Sequence, residues 1–252
     1  MNIFSLENKT ALVTGGNRGL GSGIAKGLAK AGAKVVIMAS SDSVFDAAKK
    51  MSADGLQILP VKCDLSNETN IENGFSQALE LLGGRLDILV NNAGIQRRSK
   101  CEEFPISYWD DVLNINLRSV FILCKLAGCH MISNGSGKII NIASMLSYFG
   151  GYTVPAYAAS KGGVAQLTKA LSNEWASKGI NVNAIAPGYM ATEMNTKLIE
   201  DNSRNAEILS RIPAKRWGTP DDMAGTAVFL ASTASDYLSG AIIPVDGGYL
   251  GK

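Results

Sequence analysis

Short apolar runs alternate with longer amphipathic stretches along the chain. The runs are Thr10–Thr14, Lys34–Ala39, Gln57–Lys62, Leu86–Asn91, Lys138–Ala143, Ile180–Ile185 and Ala241–Val245. Most are continuous in Val, Ile, Leu and Ala, the pattern of parallel strands covered on both faces. Between them, helical spacing predicts helices near Leu20–Ala31, Ser43–Ala53, Asn67–Leu82, Tyr108–Ile132, Pro155–Ser177 and Pro220–Ala231, with Gly32, Gly83, Gly84, Gly135 and Gly179 placed to stop them. Repeated βα units with right-handed crossovers predict an α/β fold. The expectation is a Rossmann-type, doubly wound parallel sheet of about seven strands with helices on both faces.

Neither a low-complexity tract nor a linker interrupts the pattern, so residues 1–252 read as one domain. The connection 189–217 is long and partly polar, and is either a lid over a binding site or a surface helical insertion. Hydrophobic residues make up 46% and charged residues 18% of the 252 positions, enough for a sizeable core. The formal net charge of +2 comes without a dense basic run, so no nucleic-acid partner is expected. The N-terminus lacks the basic start and apolar stretch of a secretory signal. The most apolar segment, Val120–Ile132, is broken by Lys125 and His130 and reads as too short to span a bilayer. A soluble, cytoplasmic protein without membrane contact is expected. Cys63, Cys101, Cys124 and Cys129 show no C-x-x-C spacing and read as reduced, mostly buried thiols. The single histidine, His130, argues against a metal cluster and a Ser-His-Asp triad.

Two features carry chemistry. Thr14-Gly15-Gly16-Asn17-Arg18-Gly19-Leu20-Gly21 leaves the first strand and opens the first helix. Gly15 permits the sharp turn, Gly19 and Gly21 allow close approach of backbone to a pyrophosphate, and the helix N-terminus favours phosphate. Met38-Ala39-Ser40-Ser41 ends the second strand without the acid that binds both ribose hydroxyls in an NAD site. Arg18, Ser40 and Ser41 are candidates for a 2′-phosphate, which favours NADP(H) within NAD(P)(H) use, unless Arg18 is a solvated loop side chain. The second feature is Tyr157 with Lys161 at i+4 on one helix face, and Ser144 just beyond a strand. A cation beside a phenol lowers its pKa, and a hydroxyl can hold a reacting oxygen next to it.

The joint order of these motifs resembles the short-chain dehydrogenase/reductase family along the whole length. It is carried by the glycine run at 14–21, Cys63-Asp64-Leu65, Asn91-Asn92-Ala93-Gly94, Asn114-Ile115-Asn116-Leu117, Ser144, Tyr157 with Lys161, Pro187-Gly188 with Thr192, and Val245-Asp246-Gly247-Gly248. The resemblance implies that Tyr157 is the acid/base and that Lys161 lowers its pKa and bonds the nicotinamide ribose. Ser144 would fix the reacting oxygen, and Asn116 would hold a water that relays protons from Lys161. It implies that Gly15, Asn17, Arg18, Gly19, Leu20 and Gly21 cradle the cofactor and that Asp64 and Leu65 flank its adenine (Asp64 also reads as a helix cap). Asn91, Ala93 and Gly94 would border the ribose, and Pro187, Gly188 and Thr192 the carboxamide. It further implies a homotetramer built on the helices at Tyr108–Ile132 and Pro155–Ser177 and on the C-terminal strand region.

Within the family, IINIASMLS at Ile139–Ser147, VNAIAPGYMAT at Val182–Thr192 and AEILSRIPAKRWG at Ala206–Gly218 are similar to the 2-dehydro-3-deoxy-D-gluconate 5-dehydrogenases (2-deoxy-D-gluconate 3-dehydrogenases). NNAGIQRR at Asn91–Arg98 is similar to the gluconate 5-dehydrogenases. A sugar acid needs a cation for its carboxylate, and Arg97 or Arg98 is placed to supply one, or else forms a loop or interface ion pair. Gln96, Tyr152 and Tyr189 are candidates for sugar hydroxyls. A ketone reductase for 3-oxoacyl or steroid substrates is the alternative, and a non-catalytic dinucleotide sensor a more distant one.

Overall fold

A computed structural model describes residues 2–251. The apolar runs become β1 (Thr10–Thr14), β2 (Lys34–Ala39), β3 (Ile58–Lys62), β4 (Ile88–Asn91), β5 (Gly137–Ile142), β6 (Ile180–Pro187) and β7 (Ile242–Val245). They form one seven-stranded sheet in the order β3-β2-β1-β4-β5-β6-β7, with every pairing parallel. The strands read as continuously apolar because both faces are covered. In β1, Leu12 faces a core cluster with Val36, Leu89, Ile139 and Val182, while Ala11 and Val13 face another with Val35, Ile37, Ile88 and Val90.

The first cluster is closed by α3 (Glu68–Leu81), α5 (Ser119–Ser133) and α6 (Pro155–Trp175), through Ile71, Phe75, Leu123 and Val164. The second is closed by α1 (Gly19–Lys30), α2 (Ser43–Ala53) and α9 (Ala224–Ala231), through Ile24, Leu28, Val44 and Leu230. Truncating such a fully buried Leu to Ala costs about 2–5 kcal/mol, because the cavity collapses only in part.

Two elements differ from the sequence reading. The helix expected over Tyr108–Ile132 starts at Ile106, directly after Pro105, and runs to Ser133. It consists of α4 (Ile106–Leu113), a π-helical turn at Asn114–Arg118, and α5. This 28-residue helix is long and apolar enough to cross a membrane by length and composition, contrary to the expectation from Val120–Ile132. Its apolarity is used inside the domain, where half of its most apolar stretch is buried. At the other end of the chain, Pro220–Met223 forms a 3-10 turn before α9, with a capping box between Thr219 and Asp222 at its start. The segment 189–217 contains α7 (Thr196–Glu200) and α8 (Asn202–Arg211), the latter capped by Asp201. Of the thiols, Cys63 and Cys124 are buried, whereas Cys101 and Cys129 are exposed.

Candidate active site

The strand order reverses direction between β1 and β4, and an open parallel sheet leaves a crevice beyond its strand ends at such a point. A cleft of about 730 Å³ lies there. One end is formed by the turn from β1 into α1. Gly15 adopts φ +63° and Gly19 φ +52°, conformations that a side chain would strain. A Cβ on Gly21 would stand 2.1 Å from the Gly15 carbonyl oxygen, so this glycine lets the helix start against the turn. Gly21 therefore serves packing and is not part of the cleft wall, whereas Gly15, Asn17, Arg18, Gly19 and Leu20 are.

The turn is tied to β4. Thr14 Oγ1 accepts from the amides of Asn92 and Ala93 at 3.0 Å each, and Asn92 Nδ2 donates to the Thr14 and Gly15 carbonyls at 2.9 and 3.2 Å. Arg18, the residue before α1, makes no side-chain cap among the described residues, and the first turn carries no acid. The helix N-terminus thus presents free N–H groups and its positive dipole end to the cleft.

Ser40, Asp64 and Leu65 line the same end. Asp42, the first acid after β2, pairs with Lys62 at 2.8 Å. The Asp64 carboxylate accepts from the Ser66 amide and hydroxyl, both at 2.9 Å, and the cap of α3 falls to Asn67 instead. A dinucleotide fits this half: a glycine-lined turn, an uncapped helix start and an acid-free second strand end match its phosphates.

The other half carries the acid/base group. Ser144 follows β5 and caps a 3-10 turn at Met145–Ser147. Its hydroxyl accepts from the Leu146 amide at 3.1 Å. Ser147 reciprocates, accepting from the Ser144 amide at 3.3 Å and donating to the Lys161 carbonyl at 2.7 Å. This serine ties the Ser144 turn to α6, where Tyr157 and Lys161 share a face. Tyr157, Lys161 and Ser144 all line the cleft, as do Ala93, Gly94, Gln96, Arg97 and Arg98 from the loop after β4. Pro187, Gly188 and Thr192 close it after β6. Gly188 is required there, since a Cβ would meet Asp246 at 2.6 Å.

The electrostatics depart from expectation. The Tyr157 phenol is held above its ordinary pKa of 10.0, because burial outweighs the lowering effects of the Ser144 hydroxyl and the Arg98 charge. Lys161 lies one turn further along α6. Its Nζ stands 5.7 Å from the Tyr157 ring centroid and donates to the Ile142 carbonyl at 2.6 Å. Burial pushes the Lys161 ammonium itself down to about 8.

Asn116 sits in the π-helical turn, fully buried and outside the cleft wall. It clamps the loop after β4, with Oδ1 accepting from the Ile95 amide at 2.8 Å and Nδ2 donating to the Ile95 carbonyl at 2.9 Å and to Ser160 Oγ at 3.2 Å. Its side chain is thus occupied by protein groups. Asn91 is also buried behind the wall. Its Nδ2 donates to Asn141 at 2.9 Å, bracing β4 against β5.

Tyr189 lies outside the cleft wall as well, packed edge-on against Trp217 and Tyr249 at centroid distances of 5.5 and 5.6 Å. Tyr152 is almost fully exposed. Arg97 pairs with Asp111 at 3.5 Å and stacks over Tyr108, whereas exposed Arg98 acts on Tyr157. Sequence reasoning named Thr14 and Asn92 as motif residues without their mutual contact, and missed Ser147 and Ser160. Only Ser147 has a local signal, the Ser-x-x-Ser spacing of a capping box.

Comparison with known proteins agrees with this arrangement. A family profile described as Enoyl-(Acyl carrier protein) reductase matches residues 15–250. The chain is 52% identical to a 2-dehydro-3-deoxy-D-gluconate 5-dehydrogenase of Bacillus subtilis, over 99% of this chain and 97% of the relative. Its fold superposes with a TM-score of 0.94 on a candidate 2-deoxy-D-gluconate 3-dehydrogenase of Agrobacterium tumefaciens with bound NADP, at 49% identity and over the whole of both chains. A gluconate 5-dehydrogenase of Burkholderia cenocepacia in complex with NADP and tartrate superposes at 0.95, with 39% identity over 100% of this chain and 98% of that one. Likeness of this extent, in both sequence and fold, makes the chain a member of the short-chain dehydrogenase/reductase family.

Proposed function

We propose that the protein is an NAD(P)-dependent oxidoreductase that interconverts a secondary alcohol and a ketone on a sugar acid, such as 2-dehydro-3-deoxy-D-gluconate or 2-deoxy-D-gluconate. One observation carries this reading: the Tyr157 phenol shares a single cleft with Ser144, Lys161 and the guanidinium of Arg98. The relatives named for sugar acids support the substrate class, and the NADP-bound neighbours support the cofactor.

When bound, the nicotinamide supplies or accepts the hydride. The chain supplies the rest. Ser144 and the Tyr157 hydroxyl hold the reacting oxygen. The phenol gives that oxygen a proton in reduction and removes it in oxidation. Arg98 holds the substrate carboxylate and, by its charge, eases formation of the phenolate. Lys161, its ammonium brought down to about 8 by burial, can release and regain a proton near working pH and passes one between the phenol side of the cleft and the ribose position. Gly15, Asn17, Arg18, Gly19 and Leu20 receive the phosphates, and Asp64 and Leu65 the adenine.

The whole chain acts as one catalytic domain, with 189–217 as its lid. It works in the cytoplasm as a homotetramer, supported by the exposure of Ile106, Trp109 and Phe121 on the α4–α5 helix. Light scattering that gives a monomer mass would remove the assembly. The main test is a kinetic panel of aldonic, uronic and deoxy-keto sugar acids, with a 3-oxoacyl thioester and a steroid ketone included, run with both nicotinamides. Turnover confined to sugar acids and lost in Tyr157→Phe is the expected outcome. Turnover that survives Tyr157→Phe refutes the mechanism, and preference for the thioester or steroid refutes the substrate.

A further inference from the structure

Among the described residues, four cations line the cleft. Arg97, Arg98 and Lys161 belong to the half that carries Tyr157, and Arg18 alone stands on the glycine turn. Arg18 has a carboxylate partner. Its Nη1 lies 2.6 Å from Glu193 Oε2, 175 positions along the chain, on the first turn of the segment that follows β6. The contact is not a lone pairing of mobile side chains. Thr192, next to Glu193, packs its methyl over the glycine turn, 3.7 Å from where a Cβ on Gly19 would be. The turn that carries Glu193 is pinned from behind. The Asn195 amide donates to the Thr192 carbonyl at 2.9 Å, and Asn195 Nδ2 donates to the Met190 carbonyl at 2.9 Å. Two adjacent residues of one segment therefore lie against two adjacent residues of the phosphate-binding turn, one through an ion pair and one beside the glycine's open face, and both Arg18 and Glu193 border the cleft.

The hydroxyl side is prepared as well. Ser43 Oγ accepts from Asn17 Nδ2 at 2.8 Å and lies 2.7 Å from Ser41 Oγ, which holds the β2–α2 connection beside Arg18. With Asp42 committed to Lys62, Glu193 is the carboxylate in contact with this guanidinium. A guanidinium offers a phosphate and a carboxylate the same bidentate fork, so the two acceptors exclude each other when they approach one face of it.

We propose that Glu193 is a cofactor-specificity residue: it competes with the 2′-phosphate of a phosphorylated dinucleotide for Arg18, and so lowers the preference for NADP(H) over NAD(H). The inference rests on the reading of Arg18 as the 2′-phosphate partner. It gives the segment after β6 a role at the adenosine end of the cleft, in addition to any at the substrate end. Both side chains are 71% exposed, so the competition is modest and screened by salt.

The test is calorimetric binding of NADPH and of NADH to the wild type, Glu193→Gln, Arg18→Ala and the double variant, at low and at high salt. Both positions are on the surface, and circular dichroism checks the fold. Glu193→Gln is expected to tighten NADPH about two- to fivefold relative to NADH, with the gain shrinking at high salt. Arg18→Ala is expected to weaken NADPH about tenfold relative to NADH, and Glu193→Gln in that background to change the ratio no further. If Arg18→Ala acts as expected but Glu193→Gln shifts both nucleotides equally, or neither, the competition is overturned and the phosphate reading stands. If Arg18→Ala leaves the NADPH to NADH ratio unchanged, the phosphate reading itself fails, and the competition with it.

Discussion

Lys161 is held in the fold at a cost that titration can read. Its side chain is buried, and burial brings the ammonium from an ordinary 10.5 to about 8. At about 1.4 kcal/mol per pH unit, this corresponds to about 3 kcal/mol by which the folded state disfavours the charged form. Below pH 8 the lysine is protonated both folded and unfolded, and the cost is present in full. Between about 8 and 10.5 the folded chain has released a proton that the unfolded chain still carries, so stability rises with pH and the cost fades. Lys161→Met keeps the volume and removes the charge, but loses the Nζ hydrogen bond to the Ile142 carbonyl, worth ~1 kcal/mol. The variant should therefore be inactive and yet more stable than the wild type by about 2 kcal/mol at pH 7. That lead should disappear by pH 10.5. Urea unfolding of the cofactor-free proteins at pH 7, 8, 9 and 10, at one protein concentration, measures it. Other groups that titrate nearby, such as Cys63 with its thiol pushed up to about 11, are common to both chains and cancel. A difference between the two proteins that stays constant from pH 7 to 10 would refute the burial argument.

The other residues yield equally specific outcomes. Arg98→Met should move the alkaline-rising limb of alcohol oxidation to higher pH, because the phenolate loses a favourable charge, and should raise KM for a sugar acid about tenfold. An unmoved limb separates Arg98 from Tyr157. Ser147→Ala removes the link between the Ser144 amide and the Lys161 carbonyl. It should cost about 1 kcal/mol in chemical denaturation and lower kcat more than it raises KM. Gly21→Ala drives a methyl into the Gly15 carbonyl, so a loss of about 2 kcal/mol or more and weakened binding of NADPH and NADH alike are expected. Equal affinity for both in the variant and the wild type would show that the turn tolerates opening.

The fold was legible because the strands are covered on both faces. Runs such as Lys34–Ala39 are apolar at successive positions only when alternate residues, Val36 and Ile37 for example, enter different cores. Glycines marked the helix ends for the same local reason: Gly32, Gly83 and Gly179 all take positive φ. The cleft residues near in sequence to a strand end were legible too. Contacts that join distant segments left no trace. Nothing in the neighbourhood of Asn92 signals that its amide will hold the Gly15 carbonyl, and nothing near Glu193 points to Arg18. Residue type alone does not separate two uses of Tyr189, since an aromatic with a hydroxyl suits a sugar equally well as it suits the Trp217 and Tyr249 rings it packs on. The Tyr157 and Lys161 spacing was read correctly as proximity. Its electrostatics depended on burial and on where the Nζ found an acceptor, which spacing does not encode.

The π-helical turn at Asn114–Arg118 bears on how such a chain can change by insertion and deletion. A regular helix advances about 100° per residue, so one residue added inside it rotates everything beyond by that angle, unless the surplus is absorbed locally. Here it is absorbed in a single wide turn that holds Asn116, so that α4 and α5 each present the face their neighbours need. Removing one residue from the turn would leave a helix of better regularity and a worse protein: either Asn116 leaves Ile95 or the buried side of α5 swings away from the sheet. The irregularity thus works as a register lock, and the length of this stretch should be the property of the helix that tolerates the least variation.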